Sequence, residues 1–460
     1  MSIFGKTKKR RGFTIIESLI FLFLFALIST VFFQTYIVTV RAILESKNRL
    51  GATALANQRM EIIRSIDYTS IGTKHWNGSA WVYGIPAGEL IEEEDVSVNT
   101  TLYHVDTFVQ YVDDTFDGVT PTDTIPTDYK RVRVTVSWGG GGTDQEIALF
   151  GNFSPNGVET SSGGGVLSIN VLNASGVGVS GADVRIQKAS SSIDTTATTD
   201  ATGNVTLPGA PVGAEAYTIT VSKSGYYGAN TFPAYPTTAY NPVDVHATVV
   251  ASALNQKSIV MDQEVDIQLR TKDPFGTDVP NIGFTIIGGR VLGINPSTSA
   301  LVYKFSSTST TNGSGEKDYP NESYGQYTFT IPDTSDYTFW KITPEGTTAK
   351  NIFDAAPGTN ADITAVMLAK NISSWKVTIV SNTDGTPIAG ASVKLTNATL
   401  SYDTTLTTDV FGTAYFPSSL PALTPAVYDV EVSKSGYVTK TTTVTIGSVL
   451  KEDTYNLVSN

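Results

Sequence analysis

Apolar and polar positions divide the chain into a helical first part and a β-rich remainder. Residues 13–40 are apolar almost without interruption and contain one carboxylate, Glu17. Residues 41–66 then carry apolar side chains at spacings of three and four, the periodicity of a helix with one buried face. Together the two stretches predict a helix about 80 Å long, since each helical residue adds about 1.5 Å. Its first half is long enough to cross the ~30 Å hydrocarbon core of a membrane, and its second half is suited to packing on a domain.

Beyond the helix, alternating patterns replace the helical periodicity. Residues 103–112, 131–138 and 145–150 place apolar side chains at every second position, which is typical of strands with one buried face. We therefore expect a small β head over residues 67–153, in which an antiparallel sheet packs on the second half of the helix. A stretch rich in Gly and Ser over residues 154–165 is expected to be a flexible linker.

A sequence motif in the β-rich part occurs twice. Thr199-Asp200-Ala201-Thr202-Gly203 returns as Thr408-Asp409-Val410-Phe411-Gly412, and flanking apolar stretches recur at nearly the same spacing. Internal repetition of this kind indicates duplicated domains. The two copies predict two sandwiches, and a weaker echo between them predicts a third: residues 166–246, 247–370 and 371–460. The two copies resemble carboxypeptidase-regulatory-like domains, which implies transthyretin-type sandwiches, and the middle segment resembles an immunoglobulin-like sandwich.

Two groups of side chains in these sandwiches carry specific expectations. Lys376 lies between Trp375 and Val377, so strand alternation places it on the solvent side if its neighbours face a core. A stretch rich in Pro and Gly contains aromatic side chains that could stack on a sugar or a partner protein. Packing in the core or at a strand edge explains the same residues: Tyr226, Tyr227, Phe232, Tyr235 and Tyr240.

The residues before the apolar stretch form a specific motif. Five cations precede Gly12: Lys6, Lys8, Lys9, Arg10 and Arg11. The stretch from Arg11 to Glu17, Arg-Gly-Phe-Thr-Ile-Ile-Glu, resembles the class III signal of type IV prepilins and pseudopilins. The resemblance implies that a membrane prepilin peptidase removes residues 1–12 by cutting between Gly12 and Phe13, and methylates the new amino terminus.

Glu17 would become the fifth residue of the processed chain. A carboxylate within hydrocarbon costs about 2.5–3.5 kcal/mol on insertion scales, so a partner for it is expected. The new α-amine of Phe13 on a neighbouring subunit can supply that partner in a filament. The alternative is an ordinary single-span anchor that tolerates one acid. With the resemblance, the sequence predicts an α+β chain: a long N-terminal helix on an antiparallel sheet (the pilin fold), followed by tandem all-β sandwiches.

The basic leader also predicts orientation and partners. By the positive-inside bias it stays in the cytoplasm, so the C-terminal domains lie outside the cytoplasmic membrane. After processing, the resemblance implies transfer into an extracellular pilus at the cell surface. It implies contacts with other pilin subunits and with an inner-membrane assembly platform.

Composition excludes several function classes. The chain has no Cys, and its three His do not form a ligand spacing, so no zinc pattern is present. The net charge of −12 and the lack of a basic cluster beyond the first helix disfavour nucleic acid as a partner. No nucleophile elbow or phosphate-binding loop occurs either. We expect a protein that is not an enzyme.

One cluster of acids has the chemistry of a calcium site. Five carboxylates occur close together before residue 129: Asp113, Asp114, Asp117, Asp123 and Asp128. Calcium takes about 6–8 oxygen ligands, and some pseudopilins hold it in a loop of the head, so the resemblance favours Ca²⁺ here. The spacing is not that of an EF-hand. A solvated loop whose acids cap turns is the alternative.

The function that these features predict is assembly and display. A minor type IV pilin-like subunit would enter a filament through its helix and present its sandwiches for adhesion to a surface, a glycan or a protein. The minor role follows from bulk, because three sandwiches on every subunit would crowd a filament. The alternatives are a pseudopilin of a type II secretion or DNA-uptake machine, and a membrane-tethered adhesin that does not enter filaments.

Overall fold

The computed structural model describes most of the chain from residue 14 onward. The positions outside the described residues are 1–13, 100, 117, 119–121, 124, 140–144, 156–162, 333–335, 345–348 and 420–421. The predicted cleavage site at Gly12 and Phe13, and Asp117 of the predicted calcium loop, therefore lie outside the described residues.

A single helix, α1, runs over Ile15–Ser65, a length of 51 residues. It begins with a capping box, in which the Thr14 hydroxyl accepts a hydrogen bond from the Glu17 backbone N–H at 3.2 Å. No proline interrupts it, and its one glycine is Gly51. The prediction of a long N-terminal apolar helix followed by a large β-sandwich region is confirmed.

The next part of the chain forms the head. A short 3₁₀ turn at Tyr68–Ser70 leads to seven strands: β1 (Thr73–Trp76), β2 (Trp81–Tyr83), β3 (Leu90–Ile91), β4 (Glu93–Val98), β5 (Thr101–Val112), β6 (Tyr129–Trp138) and β7 (Gln145–Phe153). Strands β4 to β7 form an antiparallel sheet in chain order. One face of this sheet packs on the second half of α1, because the alternating residues of β5 and β6 supply its apolar side.

The first sandwich follows. Its strands are β8 (Gly165–Leu172), β9 (Asp183–Lys188), β10 (Ile193–Thr198), β11 (Asn204–Ala210), β12 (Gly213–Ser222), β13 (Tyr226–Tyr227), β14 (Ala229–Asn230), β16 (Ala247–Val249) and β17 (Leu254–Val260). Strand β15 (Asn241–Pro242) lies among them in the chain but pairs with residues 293–294 of the middle sandwich. One sheet has the order β11-β8-β17. The other has the order β14-β12-β9-β10 and continues through β2 and β1 of the head to β3, with β16 on β12.

The predicted start of the second sandwich at residue 247 is displaced. Strand β16 pairs with β12, and β17 pairs in parallel with β8, so residues 247–260 belong to the first sandwich. The sequence repeat does not reveal this, because the parallel pairing joins segments about 90 residues apart and depends on the tertiary fold.

The middle and last sandwiches complete the chain. The middle sandwich contains β18 (Asp262–Gln263), β19 (Val265–Lys272), β20 (Gly283–Ile294), β21 (Leu301–Thr310), β22 (Glu316–Glu322), β23 (Gly325–Thr330), β24 (Tyr337–Thr343), β25 (Ile352–Ala355) and β26 (Asn360–Ala369). The last contains β27 (Ser374–Ser381), β28 (Ser392–Asn397), β29 (Tyr402–Thr407), β30 (Thr413–Phe416), β31 (Ala426–Ser433), β32 (Lys440–Ile446) and β33 (Leu450–Leu457).

The three sandwiches share one topology. In each, the first long strand pairs in parallel with the last one: β8 with β17, β19 with β26 and β27 with β33. The same first strand pairs antiparallel with β11, β22 or β30 on its other side. Each sandwich encloses a separate core of buried apolar residues.

A threonine hydroxyl makes the same hydrogen bond in all three sandwiches. The hydroxyls of Thr199 and Thr408 each accept a backbone N–H at 2.9 Å, and that of Thr311 accepts one at 3.0 Å. The sequence analysis did not identify this turn in the middle sandwich, because Asn312 stands where the two repeats have Asp. Its side-chain oxygen caps the turn in the same way, accepting two backbone N–H groups at 2.9 Å.

Candidate functional site

The first half of α1 exposes large apolar side chains along its length. Its side chains are exposed on every side of the helix, including Phe21, Phe23, Phe25, Phe32 and Phe33. Among the described residues, α1 is the one helix long and apolar enough to cross a membrane, and none of its most apolar stretch is buried. A helix that is apolar all round needs a lipid or protein environment.

Glu17 lies on this exposed half, in the first turn. Its Oε2 accepts a hydrogen bond from the Thr14 backbone N–H at 3.4 Å, which completes the capping box. The carboxylate therefore sits at the positive end of the helix dipole and close to the predicted amino terminus at Phe13. The structure does not describe Gly12 or Phe13, so their roles stay predictions.

The second half of α1 is held firmly by the head. Its buried side chains face the sheet: Ala52, Leu55, Ala56, Met60 and Ile63. Small residues allow close approach, since a Cβ at Gly51 would overlap the Tyr103 hydroxyl. That hydroxyl donates to the Asn48 carbonyl at 3.0 Å. Arg59 adds an ion pair with Glu94 of β4 at 2.8 Å.

A buried lysine fixes the exit of the helix. The Lys130 ammonium donates to the carbonyl oxygens of Tyr68 and Ile71 at 2.8 and 2.6 Å, and lies over the rings of Tyr68 and Tyr111. Burial lowers the pKa of Lys130 to about 8. Sequence reasoning missed this residue, although alternation places it on the same face of β6 as the buried Val132 and Val134.

The acidic loop uses its carboxylates to hold its own backbone. Asp128 accepts the Asp114 N–H at 2.5 Å, Asp114 accepts the Phe116 N–H at 2.8 Å, and Asp123 accepts the Ile125 N–H at 2.8 Å. Asp123 and Asp128 are buried. Within the described ranges, no group of three or more acidic, His or Cys residues is arranged to hold a metal. Asp117 is outside those ranges, so calcium binding stays a prediction.

An ion-pair cluster joins the first and middle sandwiches. Asp244 contacts Arg290 at 2.8 Å and Lys257 at 3.3 Å. Arg290 also donates to the Val260 carbonyl at 2.7 Å. These side chains are largely buried, so their charges are screened less by solvent than those of exposed pairs. The cluster fixes one sandwich against the next.

The aromatic stretch after the first repeat belongs to the same joint. Phe232 and Tyr240 contact each other edge to face, with ring centroids 6.0 Å apart. Tyr226 packs against the first core and pairs through its backbone with Gln263. Tyr235 is the exposed member of the predicted aromatic set. Packing at the joint therefore accounts for most of these rings.

A second joint connects the middle and last sandwiches. Trp340 donates its indole N–H to the Thr413 hydroxyl at 2.8 Å and packs on Tyr415, with ring centroids 5.6 Å apart. Lys341 forms an ion pair with Asp409 at 3.0 Å. Asp409 belongs to the repeated turn, so a repeat residue also serves the joint.

The expectation that Lys376 lies on the solvent side is wrong. Its side chain is only 9% exposed and forms an ion pair with Glu452 at 2.8 Å. Alternation does turn Lys376 away from the core that buries Trp375, but the middle sandwich covers this second face. Tyr415, its neighbour on β30, contacts Trp340 there.

One part of the chain matches a known family. Residues 166–255 match the family model of the carboxypeptidase regulatory-like domain, which confirms that resemblance for the first sandwich. No curated protein sequence matches the chain significantly.

The chain is also similar to several solved structures. It is similar to the Bacillus anthracis TIE protein, with 14% identity, 85% of this chain and 73% of that chain covered, and a TM-score of 0.21. A streptococcal ancillary pilin shares 14% identity over 65% of this chain and 99% of that chain, with a TM-score of 0.19. BcpA, the major pilin subunit of Bacillus cereus, shares 11% identity over 65% and 100%, with a TM-score of 0.17.

Proposed function

We propose that the chain is a type IV pilin-like subunit, present in small numbers, that enters a surface filament through α1 and displays its three sandwiches for adhesion. Processing would remove residues 1–12 and leave Phe13 as the amino terminus. The chain itself makes and breaks no bonds in this account. Its partners are the prepilin peptidase, other pilin subunits and the assembly platform of the membrane.

The division of α1 into two halves carries this proposal. One half packs on the head through Leu55, Met60 and Ile63, while the other exposes large apolar side chains on all sides. A simple membrane anchor has no need of a continuous rod that extends from lipid into a domain core. A filament subunit does, because the rod transfers from lipid to a bundle of helices without a break.

Glu17 supports the same proposal. Within the described residues it is the one acid in the first eight turns of α1, and it stands one turn from the predicted new amino terminus. Transfer from lipid to a bundle would let its carboxylate pair with the Phe13 amine of a neighbour. Both charges are costly in hydrocarbon, so the pair would favour assembly over the membrane state.

The sandwiches suit display at a distance. The two joints rest on specific contacts, Asp244 with Arg290 and Trp340 with Thr413. A stalk with such joints would hold its outer module away from the helix and the filament surface. This arrangement supports a role in adhesion or surface contact.

Mass spectrometry of the N-terminal peptide tests the proposal. Filaments sheared from native cells should contain a peptide that begins with N-methylated Phe13, at much lower abundance than the peptides of other pilins. A chain that retains residues 1–12 and stays in the membrane fraction would contradict the proposal. That result would instead favour a membrane-tethered adhesin.

A further inference from the structure

A hairpin of the head presents two tryptophans to solvent. Strands β1 and β2 pair so that Trp76 lies opposite Trp81, and their side chains are 54% and 43% exposed. Their ring centroids are 5.7 Å apart at an interplanar angle of 71°. The chain has five tryptophans. The other three are used internally, since Trp138 and Trp375 are buried and Trp340 lies in the second joint.

The hairpin is held rigidly from its ends. In the turn, the Asn77 side-chain oxygen accepts the N–H groups of Ser79 and Ala80 at 3.0 Å, and Gly78 has a φ of +95°. At the other end, the Tyr83 N–H donates to the Ser192 carbonyl of the first sandwich at 2.8 Å. The two indoles are therefore fixed in place without filling a core.

The opposite face of the hairpin is anchored as well. Val82 is buried, and the Nδ1 of His75 lies 2.7 Å from the Glu92 Oε2. Burial raises the pKa of the Glu92 carboxyl. Because this face supplies the anchoring contacts, the face with the tryptophans is left to solvent.

The tryptophan face has a small, nearly neutral surface. Register places Lys74, Trp76, Trp81 and Tyr83 on one face, with Ile91 beside Lys74. The Lys74 ammonium lies 5.1 Å from the Trp81 ring centroid and forms an ion pair with Glu89. We call these five side chains the tryptophan platform. A cluster of exposed large apolar side chains with a polar rim is typical of an interaction site.

The position of the platform argues against a membrane as its partner. Tryptophan and lysine are common at the membrane surface. However, the chain reaches this hairpin only after α1 ends at Ser65, about 37 Å beyond residue 40 at about 1.5 Å per residue. The hairpin pairs through Tyr83 with the first sandwich, which places the platform on the side of the head that faces the sandwiches and not the bilayer that α1 spans.

The size and chemistry of the platform favour a sugar. A stable protein interface takes about 20–30 residues from each partner, and the platform has far fewer. The flat faces of an indole ring have a partial negative charge. One face of a hexopyranose ring presents C–H groups with a partial positive charge, which can stack on it. Since Glu89 neutralises Lys74, no net charge selects an acidic ligand. We propose that Trp76 and Trp81 form a binding site for a neutral hexose polymer.

This inference relies on the proposed surface display for its biological setting, but the binding itself does not require assembly into a filament. The test uses the full-length chain in a detergent without a sugar headgroup. Isothermal calorimetry measures the binding of cellohexaose and maltohexaose, two neutral hexose oligomers of different linkage. We expect at least one to bind, and we expect Trp76→Ala and Trp81→Ala each to weaken that binding about tenfold. Trp76→Phe, which keeps a flat ring, should retain part of the affinity.

Phe150→Ala is the matched control, since Phe150 is a large exposed aromatic on another strand of the head. It should bind the oligosaccharide as the wild type does. The inference is overturned if the wild type binds neither oligomer, or if both alanine variants of the platform keep full affinity. Glu17→Gln distinguishes the two proposals. This variant should no longer be incorporated into filaments, but it should bind the sugar with the affinity of the wild type.

Discussion

The two halves of α1 have the same backbone geometry and opposite surroundings. In the first half, large side chains such as Phe21 and Phe32 are exposed, whereas in the second half Ala52, Ala56 and Ile63 are buried. The second half uses small residues where the sheet approaches closely, as at Gly51 beside Tyr103. The first half has no such pattern because the head does not touch it. Side-chain size along a helix thus separates contacts within the chain from contacts with lipid or another subunit.

Loss of the Glu17 charge should give the largest effect. We expect Glu17→Gln to lower the amount of the chain in sheared filaments at least tenfold and to leave its amount in membranes unchanged. The reason is that the amide cannot neutralise the amine of a neighbouring subunit. Quantitative mass spectrometry of the two fractions measures the ratio.

Glu45→Gln is the control for that change, since Glu45 is an exposed acid further along the same helix. Equal losses for both variants would show that any acid in α1 matters and would remove the special role of Glu17.

Two neighbouring isoleucines test the packed half of α1. Ile63 is 2% exposed and faces the sheet, while Ile62 is 41% exposed and faces outward. Ile63→Ala should lower the free energy of opening of the head by roughly 2–5 kcal/mol. Ile62→Ala should lower it by less than about 1 kcal/mol. Hydrogen exchange of the β5 and β6 amides in the full chain measures both, and similar values for the two variants would contradict the packing described here.

Two tryptophans extend the comparison to the β-rich part. Trp340 lies in a joint and is half-buried. Trp340→Ala should therefore lower the stability of the joint by about 1–2 kcal/mol, less than the loss of a fully buried Trp would. Trp81→Ala removes an exposed ring and should leave the unfolding temperature unchanged. Calorimetric unfolding of the full chain distinguishes the two. A large destabilisation by Trp81→Ala would mean that the platform is structural.

The buried Lys130 predicts a small effect of pH on the head. Its pKa is about 8 in the folded chain and about 10.4 when exposed, so the unfolded state binds more protons between these values. Stability should therefore rise with pH across this window by the contribution of this group. The neutral amine can still donate to both carbonyls.

The difference between wild type and Lys130→Met isolates that contribution from other titrating groups. Between pH 7.5 and pH 9.5, the unfolding temperature of the wild type should rise relative to that of the variant. A wild-type chain whose stability relative to the variant falls as the pH rises would contradict the assignment.

Local patterns in the sequence predicted the helix and the sandwich repeats. They did not predict contacts between residues that are far apart in the chain. Spacings of three and four along α1 depend only on neighbouring residues, so they predicted a helix with one buried face, and the structure buries Leu55 and Ile63 there. The end of the first sandwich was displaced, because β17 reaches β8 only after the chain has folded. The burial of Lys376 was not predicted for the same reason, since a neighbouring sandwich covers this residue.

The candidate sites divide in the same way. Glu17 was found because one acid in an apolar stretch is visible without a structure. Trp76 and Trp81 were not singled out, although an Asn77-Gly78 turn between aromatic residues is a hairpin signal. Their exposure depends on which face of the hairpin packs on the head, and the structure shows that it is the face with Val82.

The most direct test of the account is a photo-crosslinking measurement at Phe32, in the exposed half of α1. A benzophenone amino acid replaces Phe32, whose side chain is 66% exposed, and sheared filaments are irradiated. The account predicts a covalent adduct between this chain and the helix of another filament subunit, identified by mass spectrometry. Absence of such an adduct from the filament fraction, with lipid adducts in the membrane fraction alone, would contradict it.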